Sequence, residues 1–199
     1  PGAGSQCMRR RWVSWAACTI GCENIFHLET KSESADDSES QEVTSQPVRM
    51  EYENLFALGP LCGIADFDVV LRASLLCDEV GIDTISAGGT IAFAMECAER
   101  GLIDEPQLRF GDGDALLQTL ALISTRSGIG DLLADGSRRV SIEVGQGSAA
   151  FAQHVKGLEI PGYEPRAMQT MALGYAVGTR GADHNRSGGY QVDFTDRVD

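Results

Sequence analysis

The feature that leaves this chain least freedom is the run from Asp66 to Val144. There, apolar residues recur at three- and four-residue intervals between aspartates and glycines. Val69, Val70, Ala73, Leu76 and Cys77 fall on one face of a helix, with Asp66 or Asp68 as its N-cap and Gly81 as its stop. The same period predicts a second helix over Thr90–Arg100, with Ile91, Ala94, Met95 and Ala98 on its apolar face, Arg100 in its last turn and Gly101 behind it. A third helix opens near Asp112 or Asp114, carries Leu116, Leu117, Leu120 and Ile123, and stops by Gly128. Gly130 to Val144 holds one or two shorter helices around Gly136, and Ala167 to Val177 reads as another apolar helix. Leu158 to Pro165 is expected as loop, with strand only in short stretches such as 155–160. The fold class is therefore mainly α and multi-helical.

The N-terminal part is different. Residues 1–30 mix Arg, Trp and Cys without a clear period. The stretch KSESADDSESQEVTSQ (31–46) is acidic, rich in Ser and without aromatics, and cannot bury enough apolar area to offset its ordering entropy. The expected organisation is a segment 1–30, an acidic Ser-rich loop 31–49, a helical domain 50–165 and the start of a second helical domain from 166 to 199.

Charge and length narrow the function. A formal net charge of -13 argues against a nucleic-acid partner, which needs clustered Lys and Arg. No apolar run reaches the roughly 18 residues of a membrane span. Cys77 and Cys97 sit inside apolar helical patterns, so they read as free buried thiols in a reducing, cytoplasmic compartment. Pro1 in place of Met suggests a piece of a longer protein.

Four places carry chemistry on residue type alone. Cys18 and Cys22, with three residues between them, put two thiols on one side of a turn, as iron–sulfur or zinc ligands require, though two unrelated cysteines would look the same. Asp78, Gly81 and Asp83 form a glycine turn flanked by acids that could accept a ligand's NH and NH2 groups; an ordinary glycine C-cap explains the same residues. Gly178 to Arg186 is a glycine-containing loop with Arg180, Asp183 and His184, one of only three histidines. Glu53, in Glu51-Tyr52-Glu53, precedes the apolar stretch Leu55 to Leu61, and a partly buried carboxylate there could exchange protons near neutrality.

These patches, taken in order, resemble the aldehyde:ferredoxin oxidoreductases. The resemblance rests on Cys77-Asp-Glu-Val-Gly81-Ile-Asp83-Thr84, on Thr90 to Glu96, and on Gly128 to Gly136. It continues through His154 to Arg166, Ala172-Leu-Gly-Tyr175 and Arg180-Gly-Ala-Asp-His184, and covers about residues 15–186. It implies an internal piece of an enzyme that oxidises an aldehyde to a carboxylic acid. The implied cofactors are tungsten, or molybdenum, held by two pterins (a bis-pterin centre), and a 4Fe-4S cluster that passes electrons to ferredoxin. A homo-oligomer is among the expected assemblies. Cys18 and Cys22 match two cluster ligands of a Cys-x2-Cys-x3-Cys pattern, with Trp15 standing at the first position. Asp78 and Asp83 match pterin-contacting acids with Gly81 turning between them. Glu53 matches a glutamate near the metal, with Met50 where the family has proline, and His184 matches the histidine beside the metal. The resemblance gives Glu53 a proton-transfer role and His184 a hydrogen bond to the aldehyde oxygen. Two alternatives stay open: a catalytically inactive helical relative serving as a binding or scaffold module, and a relative acting on acyl-CoA or aromatic substrates.

Overall fold

The structure is a computed structural model that describes residues 11–13, 23–31 and 43–195. It is mainly helical, with a small antiparallel sheet at the N-terminal side. The sheet runs β1 (Arg11–Val13), β2 (Glu23–Lys31), β3 (Val43–Met50) in that order. Asn24 pairs with Met50 and Lys31 with Val43. This corrects the expected loop over 31–49, because Val43–Met50 is strand and Lys31 ends the strand before it. Leu28, Val48 and Met50 turn inward at the two-residue period of a pleated strand, and Phe26 meets Phe67 edge-on at 5.0 Å. Pro47 lies within β3, an edge strand, where a missing N–H donor costs least.

Helix α1 (Tyr52–Leu58) follows the sheet and leads into α2 (Phe67–Val80). The expected caps of α2 are present: Asp66 accepts from the Asp68 N–H at 2.9 Å, and Gly81 closes the helix with φ +73°. Helix α3 (Thr84–Glu99) begins six residues before the expected start. Its N-cap, Asp83, accepts from the Ser86 N–H at 2.8 Å, and the helix runs unbroken through Gly88 and Gly89. Helix α4 (Gly113–Thr125) is capped by Asp112, which accepts from the Ala115 N–H at 2.9 Å, and ends at Arg126 in the left-handed region, short of Gly128. Then come α5 (Ile129–Leu133) and α6 (Gly136–Val144). Two short strands, β4 (His154–Val155) and β5 (Leu158–Glu159), pair antiparallel about where short strand was expected, at 155–160. Beyond them lie α7 (Gln169–Val177), α8 (His184–Ser187) and α9 (Tyr190–Asp193).

Two apolar clusters result. The larger is centred on Leu58, Leu71, Ile91, Met95, Leu116, Leu120 and Val140, from α1 to α4 and α6. Cys77 and Cys97 lie in it as free buried thiols; burial pushes their thiol pKa up to about 12 and about 11, so both stay protonated. The smaller cluster gathers Met171, Tyr175 and Ala182, with Ile160, Tyr163 and Tyr190 packed on it. Glu159 sits at the boundary, 2% exposed. Its Oε1 accepts from the Ser137 N–H at 2.8 Å, the Ser137 hydroxyl at 2.7 Å and the Thr90 hydroxyl at 3.3 Å, joining α3 and α6 to β5.

Helices α1 and α3 approach so closely at Gly88 that a Cβ there would overlap the Ala57 carbonyl, 2.6 Å from its carbon. Alanine normally stabilises a helix interior by about 1 kcal/mol over glycine. At Gly88 the sign reverses: Gly88→Ala is expected to cost about 1–3 kcal/mol, the usual range for overpacking, seen as a lowered midpoint of thermal unfolding.

Candidate functional site

Glu53 lies in the first turn of α1 and faces inward, 5% exposed. Its Oε2 accepts from the main-chain N–H of Gly162 at 2.9 Å, across 109 residues of sequence. Its Oε1 is buried and has no hydrogen-bond partner among the described residues. Burial pushes the Glu53 carboxyl up to about 7; the Gly162 N–H opposes this, while the nearby charges of Glu51 and Asp83 add to it. A carboxyl poised there can take and release a proton at neutral pH.

The segment that brings Gly162 to Glu53 also builds the rest of the site. The Tyr52 hydroxyl donates to the Gly162 carbonyl at 2.7 Å. A Cβ on residue 162 would lie 2.8 Å from Tyr52 Cε1 and 3.0 Å from Phe56 Cγ, so only glycine lets this chain pass so near α1. The adjacent Tyr163 ring stacks on the His184 imidazole at 5.2 Å and on Tyr190 at 5.0 Å. His184 opens α8 behind its N-cap Asp183, which accepts from the Asn185 and Arg186 N–H groups and is paired with Arg180 at 2.9 Å. His184 Nε2 points to Glu53 Oε1 at 4.0 Å. Burial lowers the His184 pKa, against the pull of Asp183 and Asp83, while it raises that of Glu53. The two therefore face each other near neutrality as a weakly charged pair rather than as an ion pair.

The predicted acidic turn stands next to this pair. Asp78, in the last turn of α2, and Asp83, the N-cap of α3, line one cleft of about 190 Å³ with Glu23, Arg49, Asn54 and Thr84. Gly81 turns the chain between the two acids, with its side open. Asp83 also walls a second cleft of about 290 Å³, shared with Ser86, Glu159, Arg180, Asp183 and His184. Asn54 gives its amide NH2 to the Ser74 hydroxyl at 2.9 Å, and its buried carbonyl oxygen has no partner among the described residues. The walls of the first cleft thus carry four carboxylates, those of Glu23, Glu51, Asp78 and Asp83, with Glu23 paired to Arg49; carboxylate oxygens are the acceptors that the NH and NH2 donors of a pterin ring need.

The structure therefore brings Glu53, His184 and Asp83 to one region and sets Asp78 and Gly81 at its edge. Cys18, Cys22 and Trp15 lie outside the described residues. Among the described residues no three His, Cys, Asp or Glu side chains converge on a metal position, and no helix is long and apolar enough to cross a membrane. Residue reading alone did not single out Gly162, Tyr163, Tyr52 or Asn54. Pro161-Gly162-Tyr163 looks like any turn until its contact with α1 is seen.

A family profile described as aldehyde ferredoxin oxidoreductase, domains 2 and 3, matches residues 5–199. The chain belongs to the aldehyde ferredoxin oxidoreductase family. It is 40% identical over 174 residues to the tungsten-containing aldehyde ferredoxin oxidoreductase of Pyrococcus furiosus, covering 84% of this chain and 26% of that protein. It is 39% identical over 174 residues to the corresponding enzyme of Thermococcus kodakarensis. An aliphatic sulfonate oxidoreductase, WOR-like subunit, from P. furiosus is 30% identical over 189 residues, covering 88% of this chain and 29% of that one. The chain thus spans about a quarter of the length of the relatives it matches. Among solved structures, the active site complex BamBC of benzoyl coenzyme A reductase with 1,5 dienoyl-CoA superposes with a TM-score of 0.62 at 24% identity, over 86% of this chain and 25% of that one. That likeness is one of fold, and it agrees with the mainly α architecture. The family is one of oxidoreductases, and this chain carries a stretch of its domains 2 and 3.

The raised carboxyl has a measurable consequence. Folded Glu53 holds a proton that an unfolded glutamate, at its ordinary value of 4.5, has released by pH 7. Its contribution to stability is fully present below about pH 4.5 and is lost as pH rises towards 7, by up to about 3 kcal/mol. Glu53→Gln keeps the Gly162 bond and removes the titration. The variant is expected to show a flatter stability profile between pH 5 and 7 than the parent, read from unfolding midpoints at each pH.

Proposed function

We propose that this chain forms part of the catalytic core of an enzyme that oxidises an aldehyde to a carboxylic acid, at a tungsten or molybdenum bis-pterin centre. Its electrons would leave through a 4Fe-4S cluster to ferredoxin. The observation that carries the reading is the buried pair of Glu53 and His184 beside the acid-lined turn of Asp78, Gly81 and Asp83. The names of the relatives support the substrate class, the tungsten and the acceptor.

The overall reaction takes one aldehyde and one water to a carboxylic acid, two protons and two electrons. The bis-pterin metal, when bound, supplies the acceptor for that electron pair. The residues of this chain handle the rest. Glu53 takes the proton that the attacking oxygen gives up, and its carboxyl pKa of about 7 lets it pass that proton on at neutral pH. His184, kept neutral by burial, donates a hydrogen bond from Nε2 to the aldehyde oxygen, in the tautomer that carries the proton there. Tyr163 holds the imidazole plane by stacking, and Gly162 holds the carboxylate. Asp78 and Asp83 accept from the pterin's ring donors, with Gly81 giving the turn its open side. In the same reading the segment 1–30 supplies Cys18 and Cys22 to the cluster, residues 50–165 form one helical domain, and 166–199 begin a second.

Elemental analysis of the full-length protein is expected to find tungsten or molybdenum together with iron, and the protein is expected to reduce a viologen dye with an aldehyde. Reconstituted full-length protein without either heavy metal would sink the proposal and leave a scaffold module. In the active protein, His184→Asn is expected to lower kcat by roughly 10²–10³-fold, the usual loss on removing one donor to a developing oxyanion. Unchanged turnover would remove His184 from the mechanism.

A further inference from the structure

The hairpin β4–β5 turns at Lys156, with φ +59°, and Gly157, with φ +91°. Both lie in the left-handed region, which suits glycine or asparagine and disfavours lysine. The Lys156 side chain has work to do from that place. Its ammonium donates to the main-chain carbonyls of Gly178 at 2.7 Å and Ala176 at 3.1 Å. These carbonyls lie at the C-terminal end of α7, where a helix leaves acceptors free and favours a positive charge. The last turn of α7 holds no basic residue of its own.

The Gly178 carbonyl is also where the loop that presents His184 begins. It accepts from the Gly181 N–H at 3.2 Å, and the Gly181 carbonyl accepts from the Asp183 N–H at 2.8 Å. Asp183 then caps α8, which His184 opens. Gly181, itself at φ +91°, rests on the hairpin: a Cβ there would overlap the Val155 carbonyl oxygen and stand 3.2 Å from the Lys156 Cβ. The hairpin is fixed at its other end too. Glu159 of β5 accepts from Thr90 of α3 and Ser137 of α6, and just beyond it Gly162 donates to Glu53. One hairpin therefore reaches both members of the pair, Glu53 through Gly162 and His184 through the loop held by Lys156.

We propose that Lys156 is a positioning residue for His184: its ammonium fixes the end of α7 to the hairpin and so sets where the following loop delivers the imidazole relative to Glu53. It acts through the main chain of Gly178 and Gly181. This rests on the hydrogen-bonding role given to His184 above.

The test is Lys156→Met in the full-length protein, which keeps the apolar stem and removes the donors. NMR of isotope-labelled histidine follows the titration of His184, with His184→Asn identifying the signal. Glu53, Asp83, Asp183 and Tyr163 face or flank the imidazole, and burial holds its pKa below the ordinary 6.5. In Lys156→Met the loop relaxes and the imidazole gains water, so the midpoint is expected to move up by about half a pH unit. The shift is expected to persist in ~0.5 M salt, which screens an exposed charge. Turnover is expected to fall roughly tenfold in kcat with KM within about twofold, as for a group that is present but misplaced. An unmoved His184 midpoint overturns the proposal, whatever happens to thermal stability or turnover. A shift that salt abolishes overturns it too, because loss of the charge alone would produce it. Unchanged turnover in an active protein likewise overturns it. The titration needs no turnover, so a protein inactive towards aldehydes refutes the proposed function while the Lys156 link is still decided. If Lys156→Met fails to fold, Lys156→Gln, too short to reach both carbonyls, is read in the same way and decides.

Discussion

Gly162 is gripped through both of its main-chain groups by neighbouring residues of one helix: its N–H by Glu53 and its carbonyl by Tyr52. Two bonds to one turn of α1 set both the distance and the orientation of the segment that follows. That segment carries Tyr163, and Tyr163 sets the plane of His184. The larger apolar cluster, built from α1 to α4 and α6, and the smaller one around α7 share no continuous core. They are joined by this clasp and by the three donors that converge on Glu159. A carboxylate on one cluster and an imidazole on the other keep a fixed separation because the joint between them adds short, directional bonds to the contact of Tyr52 with Tyr163, and apolar contact alone is non-directional.

Glu53 and Glu159 make an internal comparison. Both are glutamates and almost equally buried, 5% and 2% exposed. Glu159 has three donors on one oxygen and serves as a tie between elements. Glu53 has one donor in all, and its second oxygen faces His184 without a bond to it. A charge in low dielectric is costly unless hydrogen bonds replace its lost hydration. Glu53 lies where that replacement is incomplete, and its carboxyl accordingly rises to about 7. The difference between the two carboxylates here is the number of N–H and O–H groups aimed at each. Sequence position does not encode that number.

Much of the helical frame was legible because its signals are local. Asp66, Asp112 and Gly81 cap the helices they were expected to cap. The start of α3 was not legible: Gly88 and Gly89 lower helix propensity, whereas the close approach to Ala57 demands a glycine at 88. The strands β2 and β3 escaped because their alternation is confined to a few inward residues, Phe26, Leu28, Val48 and Met50. Pro47 and the polar 43–46 stretch also look unlike a strand. At the site, residue types and a family resemblance pointed to Glu53, His184 and the Asp78–Asp83 turn. Their supports stayed hidden, since Gly162 acts through a contact 109 residues away in sequence, and Tyr163, as a stacking tyrosine, has the signature of a core residue.

Helix α7 has no side-chain cap of its own at Met168. The N–H groups of Thr170 and Met171 are instead accepted by the two carboxylate oxygens of Asp193, each at 3.0 Å, from α9. The beginning of the helix that carries Tyr175 is thus completed by a residue made later, after His184 itself. Chains are synthesised from the N-terminus, and early elements settle first. The half of the site on α1 and α3 can take shape while the chain is still growing, and α8 carries its own cap in Asp183, whereas the start of α7 lacks its acceptors until residue 193 has emerged. The order of synthesis therefore leaves the helix that carries Tyr175 open at its start until the last described helix is in place.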